Sequence, residues 1–180
     1  MKQRRPINRR IAAVIVGLPL ACLVFYTAGL RVNTSASIPL GIYRMVSAPG
    51  PVAGDLVMAC PLDTPVFVQA KGRGYLGVGP CPSGISPLMK RLEATEGDVV
   101  AFTSRGVIVN GELVNSSEPL AADQAGRPMP ELRTSAQPVP AGQVLLMGID
   151  NPKSFDGRYY GLLPATQITA AIRPIVTWKD

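Results

Sequence analysis

The chain reads Val107-Ile108-Val109-Asn110-Gly111-Glu112-Leu113-Val114 beyond its midpoint, with a β-branched run before an Asn-Gly pair and a second short run after it. An Asn-Gly pair flanked in this way is the strongest short-range signal for a two-residue type I′ hairpin, because both central residues of that turn need positive φ. We therefore predict a β-hairpin here. Outward from it, the chain beyond Leu30 shows no sustained helical period, and Gly and Pro interrupt almost every segment. The fold is predicted to be mostly β.

Further strands are predicted where short apolar runs stand between turn residues, at 56–59, 66–70, 87–92, 99–102, 144–148 and 172–178. Pro174 interrupts the last run and favours an edge position, because proline cannot donate to a sheet. Residues 115–140 are polar and rich in Pro and Ala, and we predict that they form a surface excursion over the core.

An uncharged apolar run at residues 11–30 precedes the β-rich part. About 20 apolar residues are needed to cross the hydrocarbon core of a bilayer as a helix. We therefore predict a basic arm at 1–10, one transmembrane anchor at 11–30 and an extracytoplasmic domain at 31–180. A cleavable signal peptide ending at Ser35-Ala36-Ser37 is the alternative; the length of the run argues against it, since signal h-regions span roughly 7–15 residues.

Charge supports this topology. Of the 18 Lys and Arg residues, five precede the apolar run and only Arg31 follows it directly, which places the N-terminus in the cytoplasm by the positive-inside rule. Residues 31–180 hold 13 basic and 12 acidic side chains. The basic character is therefore a topology signal and not a nucleic-acid footprint, so membrane lipid is an expected partner and nucleic acid is not.

The cysteines agree with an extracytoplasmic domain. Cys22 lies in the apolar run, which leaves Cys60 and Cys81 as a pair. In an oxidising compartment we expect them to form a disulfide across the Gly- and Pro-rich stretch between them. Two buried free thiols are the alternative, because sequence does not establish pairing geometry.

Histidine is absent from the chain, which limits how a nucleophile can be activated. A serine hydroxyl needs a base to take its proton, and a neutral lysine is the common substitute for imidazole. Ser37 lies in a turn rich in Pro and Gly, and Lys90 lies on a predicted strand with Leu88 and Leu92 on its face, an apolar setting that favours the neutral amine. The pattern indicates a Ser–Lys hydrolase. Taken singly, a linker serine and a surface lysine are the plainer interpretations.

Three motifs stand in order along the chain: Ser37-Ile-Pro-Leu-Gly41, Met89-Lys90-Arg91 with Gly97-Asp98, and Asp150-Asn151 with Ser154-Phe155-Asp156-Gly157-Arg158. Together they resemble the motif boxes of type I signal peptidases over roughly residues 33–161, and three boxes in order are specific where one alone is weak. The wording Ser-Ile-Pro-Leu-Gly-Ile-Tyr resembles the conjugative-transfer branch, the TraF-type peptidases, more than the housekeeping branch, which usually has Met where this chain has Ile38.

The resemblance implies a β-rich catalytic core shared with LexA-type self-cleaving repressors. It implies that Ser37 is the nucleophile and Lys90 the general base, and that the Ser37 backbone N–H and the Ser35 hydroxyl bind the oxyanion. It also implies that Ser154 orients the lysine amine.

For Asp156 and Arg158 the resemblance implies a pair that holds the loop carrying Ser154. The plainer interpretation of these two residues is an exposed charge pair in a turn, with little energetic effect.

The predicted function is a serine endopeptidase anchored in the bacterial inner membrane, with its catalytic domain in the periplasm. Its expected substrate is an exported precursor, such as the pilin subunit of a conjugative type IV secretion system. The acyl-enzyme formed on the serine is expected to be released by water, or by an amine of the substrate itself, which would give a cyclic product. Proteins of the conjugation channel are further expected partners. The alternatives are a housekeeping signal peptidase and a non-catalytic periplasmic assembly component. No cofactor or metal is expected, because histidine is absent and neither the cysteines nor the acidic residues have ligand spacing.

Overall fold

A computed structural model describes residues 9–46 and 50–178. Residues 1–8 of the predicted basic arm lie outside the described residues. Helix α1 spans Arg9–Thr27. A search of the described ranges finds no helix with the length and hydropathy required to cross a membrane. From residue 15 onward the helix carries large apolar side chains that are exposed: Ile15, Val16, Leu18, Leu20, Leu23, Val24 and Tyr26.

The remaining described residues form strands and short helices. The strands are Leu30–Asn33 (β1), Leu40–Val46 (β2), Leu56–Ala59 (β3), Leu88–Ala94 (β4), Val99–Thr103 (β5), Gly106–Val109 (β6), Glu112–Leu113 (β7), Thr134–Pro138 (β8), Gln143–Met147 (β9), Leu162–Pro164 (β10) and Ile168–Trp178 (β11). The helices are Pro65–Gly72 (α2) and Gly157–Tyr160 (α3), with a 3₁₀ turn at Ala165–Gln167. The mostly β prediction is confirmed.

Two antiparallel sheets hold these strands. The larger sheet has the order β1-β2-β11-β3-β4-β9-β10 and the smaller one the order β7-β6-β5-β8. Strands β4 and β5 are consecutive in the chain and belong to different sheets, so residues 95–98 carry the chain from one sheet to the other.

The predicted hairpin is present as β6 and β7, with Val109 paired to Glu112 across a two-residue turn. The φ angles of Asn110 and Gly111 are 51° and 87°. Both therefore occupy the left-handed region that a type I′ turn requires, which Asn and Gly tolerate better than other residues.

The strand predicted at 66–70 was wrong, because these residues lie in α2. Pro65 stands in the first turn, where its fixed φ suits a helix and its missing N–H has no partner to lose. Phe67 and Ala70, three residues apart, are the buried residues of the helix. The β-branched residues Val66 and Val68 misled the prediction, since tertiary packing overrides their weak preference.

Strand β11 lies between β2 and β3, which corrects the predicted edge position of 172–178. Within β11, only Ile168–Ile172 pair with β3, so Pro174 stands where β11 has β2 as its single neighbour. The register with β2 shifts just beyond Pro174. Residues 115–140 are mainly exposed, but they include β8, an unpredicted strand that pairs with β5.

Strand β4 directs alternate side chains into the core: Leu88, Lys90, Leu92 and Ala94 are buried, while the residues between them are partly exposed. Lys90 pairs in register with the fully buried Val57 of β3. A cationic side chain therefore points from a central strand toward the interior, where the loops before β2 and after β9 meet it.

Candidate active site

The turn that carries Ser37 joins β1 to β2 and is held from inside by Asn33, the last residue of β1. Asn33 is 3% exposed, and its Nδ2 donates to the carbonyls of Ser35, Ile38 and Pro39 at 2.8, 2.9 and 3.1 Å. Its Oδ1 accepts from the Ser35 backbone N at 3.1 Å and from Ser35 Oγ at 3.0 Å. One buried amide thus fixes the local path of the chain around Ser37.

The loop after β9 clamps the same turn from the other side. The backbone N–H of Ile149 donates to the Ser37 carbonyl at 2.7 Å, and Asn151 Nδ2 donates to the Ala36 carbonyl at 2.9 Å. The serine turn is therefore attached both to β1 and to the loop that carries Ser154.

Lys90, Ser37 and Ser154 meet at one point. Lys90 Nζ lies 2.6 Å from Ser37 Oγ and 2.7 Å from Ser154 Oγ, and the two hydroxyl oxygens are 3.3 Å apart. Lys90 is 3% exposed and Ser154 is also buried. The ammonium has lost nearly all of its hydration, and the two hydroxyls replace only part of it.

Burial lowers the pKa of Lys90 to about 8, because the charged form is poorly solvated. The negative charge of Asp156 opposes this shift and the positive charge of Arg158 adds to it. A lysine with this pKa is partly neutral near physiological pH, so its nitrogen can accept a proton from a hydroxyl within hydrogen-bond reach.

Asp156 and Arg158 form a buried pair behind the site. Arg158 Nε donates to Asp156 Oδ1 at 2.8 Å, and Arg158 Nη2 donates to Asp156 Oδ2 at 2.9 Å. The Arg158 side chain is 1% exposed and the Asp156 side chain is 0% exposed. Arg158 also donates to the carbonyls of Asn151, Pro152 and Glu118. The pair therefore fixes the loop that presents Ser154, and the interpretation as an exposed turn pair is excluded.

Gly148 lies where the loop passes closest to Ser154. A Cβ at this residue would stand 2.6 Å from Ser154 Cβ and 3.2 Å from Asp156 Oδ2. The Gly148 backbone N–H donates to Asp156 Oδ2 at 3.0 Å. The absence of a side chain is therefore what lets Ser154 reach Lys90.

Comparison with known proteins shows the family of the chain. The sequence matches the family described as "Signal peptidase, peptidase S26" over residues 7–178. The chain belongs to the S26 signal peptidase family.

Two relatives illustrate the branch of the family. The "Plasmid transfer protein TraF" of Escherichia coli is 45% identical over 176 residues, which cover 96% of this chain and 98% of the relative. The "Conjugal transfer protein TraF" of Agrobacterium tumefaciens (strain 15955) is 36% identical over 168 residues, which cover 93% and 92%. A signal peptidase I from Enterococcus faecalis V583, known from a crystal structure, is 19% identical with a TM-score of 0.39, over 71% of this chain and 100% of that chain.

The structure of this S26 family member brings most of the predicted site residues together. Ser37, Lys90 and Ser154 are in mutual contact, and Asp156 pairs with Arg158 directly behind them. Ser35 is exposed, and its hydroxyl donates to Asn33 Oδ1 and makes no hydrogen bond to Ser37, Lys90 or Ser154.

A disulfide joins Cys60 and Cys81. It ties the end of β3 to the segment that leads into β4 and Lys90.

Sequence reasoning missed Asn33 and Gly148. Neither carries a group that takes part in proton transfer, and neither was part of the quoted motifs. The available signal for Asn33 was its residue type just before a Ser-rich turn, since Asn side chains often bond to nearby backbone in turns.

A cleft of about 720 Å³ opens beside the candidate active site, with Ser37 and Ser154 in its lining. Apolar and aromatic side chains form much of its wall: Tyr75, Leu120, Met129, Phe155 and Tyr159. Residues 120–129 of the predicted surface excursion thus build one wall of the cleft next to the serine. A peptide chain laid in this cleft would pass the Ser37 hydroxyl.

Proposed function

We propose that this S26 family member is a membrane-anchored serine endopeptidase in which Ser37 is the nucleophile and Lys90 the general base. The observation that carries the proposal is the contact between the Ser37 hydroxyl and a buried lysine amine, with 2.6 Å between Oγ and Nζ. The substrate we propose is an exported precursor, the pilin subunit of a conjugative secretion system.

The first chemical step is acyl transfer to Ser37. Neutral Lys90 takes the hydroxyl proton while Oγ attacks the carbonyl carbon of the scissile peptide bond. Lys90, now protonated, gives the proton to the departing amine, and an ester remains on Ser37. Ser154 contributes by holding the Lys90 nitrogen at 2.7 Å, so that its lone pair faces the serine.

The tetrahedral intermediate needs donors for its oxygen. The Ser37 backbone N–H has no hydrogen-bond partner within residues 9–46 and 50–178, which favours it as one donor. The Ser35 hydroxyl now donates to Asn33 at 3.0 Å and would have to leave that bond to act as the second donor.

The ester on Ser37 can be released in two ways with the same groups. If water attacks, Lys90 takes a proton from it, the ester bond to Ser37 breaks and Lys90 returns the proton to Ser37 Oγ, so the product is a linear acid. If an amine of the bound acyl segment attacks, Lys90 takes the proton from that amine and a peptide bond forms as the ester bond breaks. Lys90 again returns the proton to Ser37 Oγ, and the product is a ring lighter than the linear acid by one water.

Two observations support a role in conjugation at a membrane. Relatives covering nearly the whole chain are named as plasmid and conjugal transfer proteins, and α1 exposes a series of large apolar side chains immediately before β1. We propose residues 1–10 as a cytoplasmic arm, 11–30 as the anchor in the inner membrane and 31–180 as the periplasmic domain. Alkaline extraction of cell membranes tests this: a chain released with peripheral proteins would contradict the anchor.

The function is tested by co-expressing the chain with its candidate pilin precursor and measuring the intact mass of the precursor. Wild type is compared with Ser37→Ala and Lys90→Ala, and with the exposed-residue controls Ser104→Ala and Lys71→Ala. We expect processing by wild type and both controls and loss of processing in the two site variants, since removing either member of such a unit removes most of the catalysis.

The outcomes separate the alternatives. Equal processing by all five chains would overturn the Ser–Lys mechanism and favour the non-catalytic assembly component. Complementation of a strain that lacks its own signal peptidase would favour the housekeeping role. In a positive experiment the product mass distinguishes hydrolysis from ring closure.

A further inference from the structure

The cleft beside Ser37 carries an excess of positive charge. Its lining includes three cationic side chains, Arg73, Arg127 and Lys153, but a single carboxylate, Asp123. Residues 31–180 as a whole hold 13 basic and 12 acidic side chains. Positive charge is therefore concentrated in the cleft, where low-dielectric walls strengthen its field.

The one carboxylate of the cleft is occupied by its own loop. Asp123 Oδ2 accepts from Tyr75 Oη and from Arg127 Nε, the latter at 2.6 Å. Asp123 Oδ1 accepts from the backbone N–H groups of Ala125 and Arg127, both at 2.9 Å. The hydrogen bond from Tyr75, with those from Arg127 and Ala125, holds the pKa of Asp123 well below its usual range. Asp123 therefore orients Arg127 and fastens the loop to Tyr75.

The two arginines retain unused donors. Arg73 donates through Nη1 to the Pro128 carbonyl at 2.7 Å, and it forms no ion pair with a carboxylate of the described residues. Arg127 uses Nε and Nη2, the latter toward the Arg73 carbonyl at 3.3 Å. Because a guanidinium has five N–H donors in a planar fork, both side chains can still bind a carboxylate. The Arg127 side chain is 43% exposed, so a ligand can reach it.

We propose that Arg73 and Arg127 form a carboxylate-binding subsite of the substrate cleft. It recognises an acidic side chain or a terminal carboxylate of the precursor, close to the bond that Ser37 attacks. This inference rests on the proposed function. The apolar wall formed by Tyr75 and Met129 would accept the side chain next to the carboxylate, so the subsite selects a segment that is both acidic and apolar.

The test measures peptide binding apart from catalysis. The full chain with Ser37→Ala is purified in mild detergent and titrated with labelled eight-residue peptides that have Ala-Ala at the centre. One Glu is moved through the other positions, each Glu peptide has a Gln twin, and each is made with a free or an amidated C-terminus. Fluorescence anisotropy gives the Kd of every peptide.

We expect the best acidic peptide to bind about tenfold more tightly than its neutral twin at low salt, which corresponds to one charge-assisted contact. The preference should shrink at high salt. The double change Arg73→Gln with Arg127→Gln should reduce the preference for the acidic peptide to less than about twofold. Replacing Arg73 by Lys in place of Gln keeps the charge and should restore part of this preference. Arg105→Gln, at an exposed turn outside the cleft lining, is the matched control and should leave the ratio unchanged.

The comparison of Glu with Gln distinguishes the sources of the carboxylate. A Glu preference at one position supports an acidic side chain, and a preference for the free over the amidated C-terminus supports a terminal carboxylate. Equal binding of every charged and neutral twin overturns the subsite, and so does a preference that survives in the double variant. A merely structural role for the arginines would weaken all peptides equally and leave the ratio intact.

Failure of the subsite is distinguishable from failure of the proposed function. If wild type processes the precursor but binds charged and neutral peptides equally, the peptidase proposal stands and the subsite is wrong. If no chain processes the precursor while the arginine-dependent preference is measured, carboxylate binding stands and the peptidase proposal is wrong.

Discussion

Replacing Lys90 by Met should raise the free energy of unfolding at neutral pH, and the increase should be smaller at high pH. Burial lowers the lysine pKa from 10.5 to about 8. At about 1.4 kcal/mol per pKa unit, this shift means that the lysine opposes folding by about 3 kcal/mol below pH 8. Between pH 8 and 10.5 the unfolded chain binds more protons than the folded one, so wild-type stability rises through this window and the advantage of the variant falls by about 3 kcal/mol.

The assay is urea unfolding of the full chain in mild detergent, followed by the fluorescence of the single tryptophan, Trp178, at pH 7 and pH 10.5. Contributions that do not depend on the protonation of Lys90, such as a change in packing, are the same at both pH values. The difference between the two pH values therefore reports the shift of the lysine pKa on folding. Lys153→Met, at an exposed position, is the control and should change stability by less than about 0.5 kcal/mol at either pH. An advantage of Lys90→Met that is equal at pH 7 and pH 10.5 would mean that the lysine keeps its ordinary pKa when folded, and would rule out a pKa lowered by burial.

Three further outcomes are expected. Gly148→Ala should slow precursor cleavage about tenfold or more while circular dichroism stays that of a folded protein, because its Cβ would stand 2.6 Å from Ser154 Cβ and displace that side chain; an unchanged rate would show that the Ser154 contact is dispensable. Asn33→Ala should lower the free energy of unfolding by about 2 kcal/mol and reduce the cleavage rate, since the buried carbonyls of the serine turn lose their donor; a variant as active as wild type would argue against Asn33 as a positioning residue. Changing Cys60 and Cys81 together to Ser should cost about 3 kcal/mol in urea unfolding, as expected for a cross-link between residues 21 apart, and no change in midpoint would contradict a stabilising disulfide.

The sequence predicted those parts of the fold that local chemistry determines. The Asn110-Gly111 hairpin follows from the φ angles that only a few residue types tolerate, and the buried face of β4 follows from strict alternation around Lys90. Helix α2 was missed because its turn-initiating Pro65 and its burial of Phe67 depend on what packs against it. The internal position of β11 was missed because strand order arises from contacts that are distant in sequence.

The candidate site divides in the same way. Ser37, Lys90 and Ser154 were predicted because the missing histidine and the ordered motifs restrict which groups can activate a serine. The amide of Asn33 and the bare backbone of Gly148 act through geometry, which appears only when the turn before β2 and the loop after β9 meet. Arg73 and Arg127 of the cleft lie 54 residues apart in sequence and come together beside Asp123 and Tyr75. No local sequence pattern predicts a contact between residues so far apart.

We propose that Ser37 is activated by Lys90, which burial makes neutral. The pH dependence of kcat/KM for cleavage of a synthetic precursor segment tests this activation. This quantity reports the ionisation of the free enzyme. We expect kcat/KM to increase with pH and to level off above an apparent pKa of about 8, the value that burial gives Lys90. A rate independent of pH from 6 to about 9, or one that keeps rising to the ordinary lysine pKa of about 10.4, would contradict it.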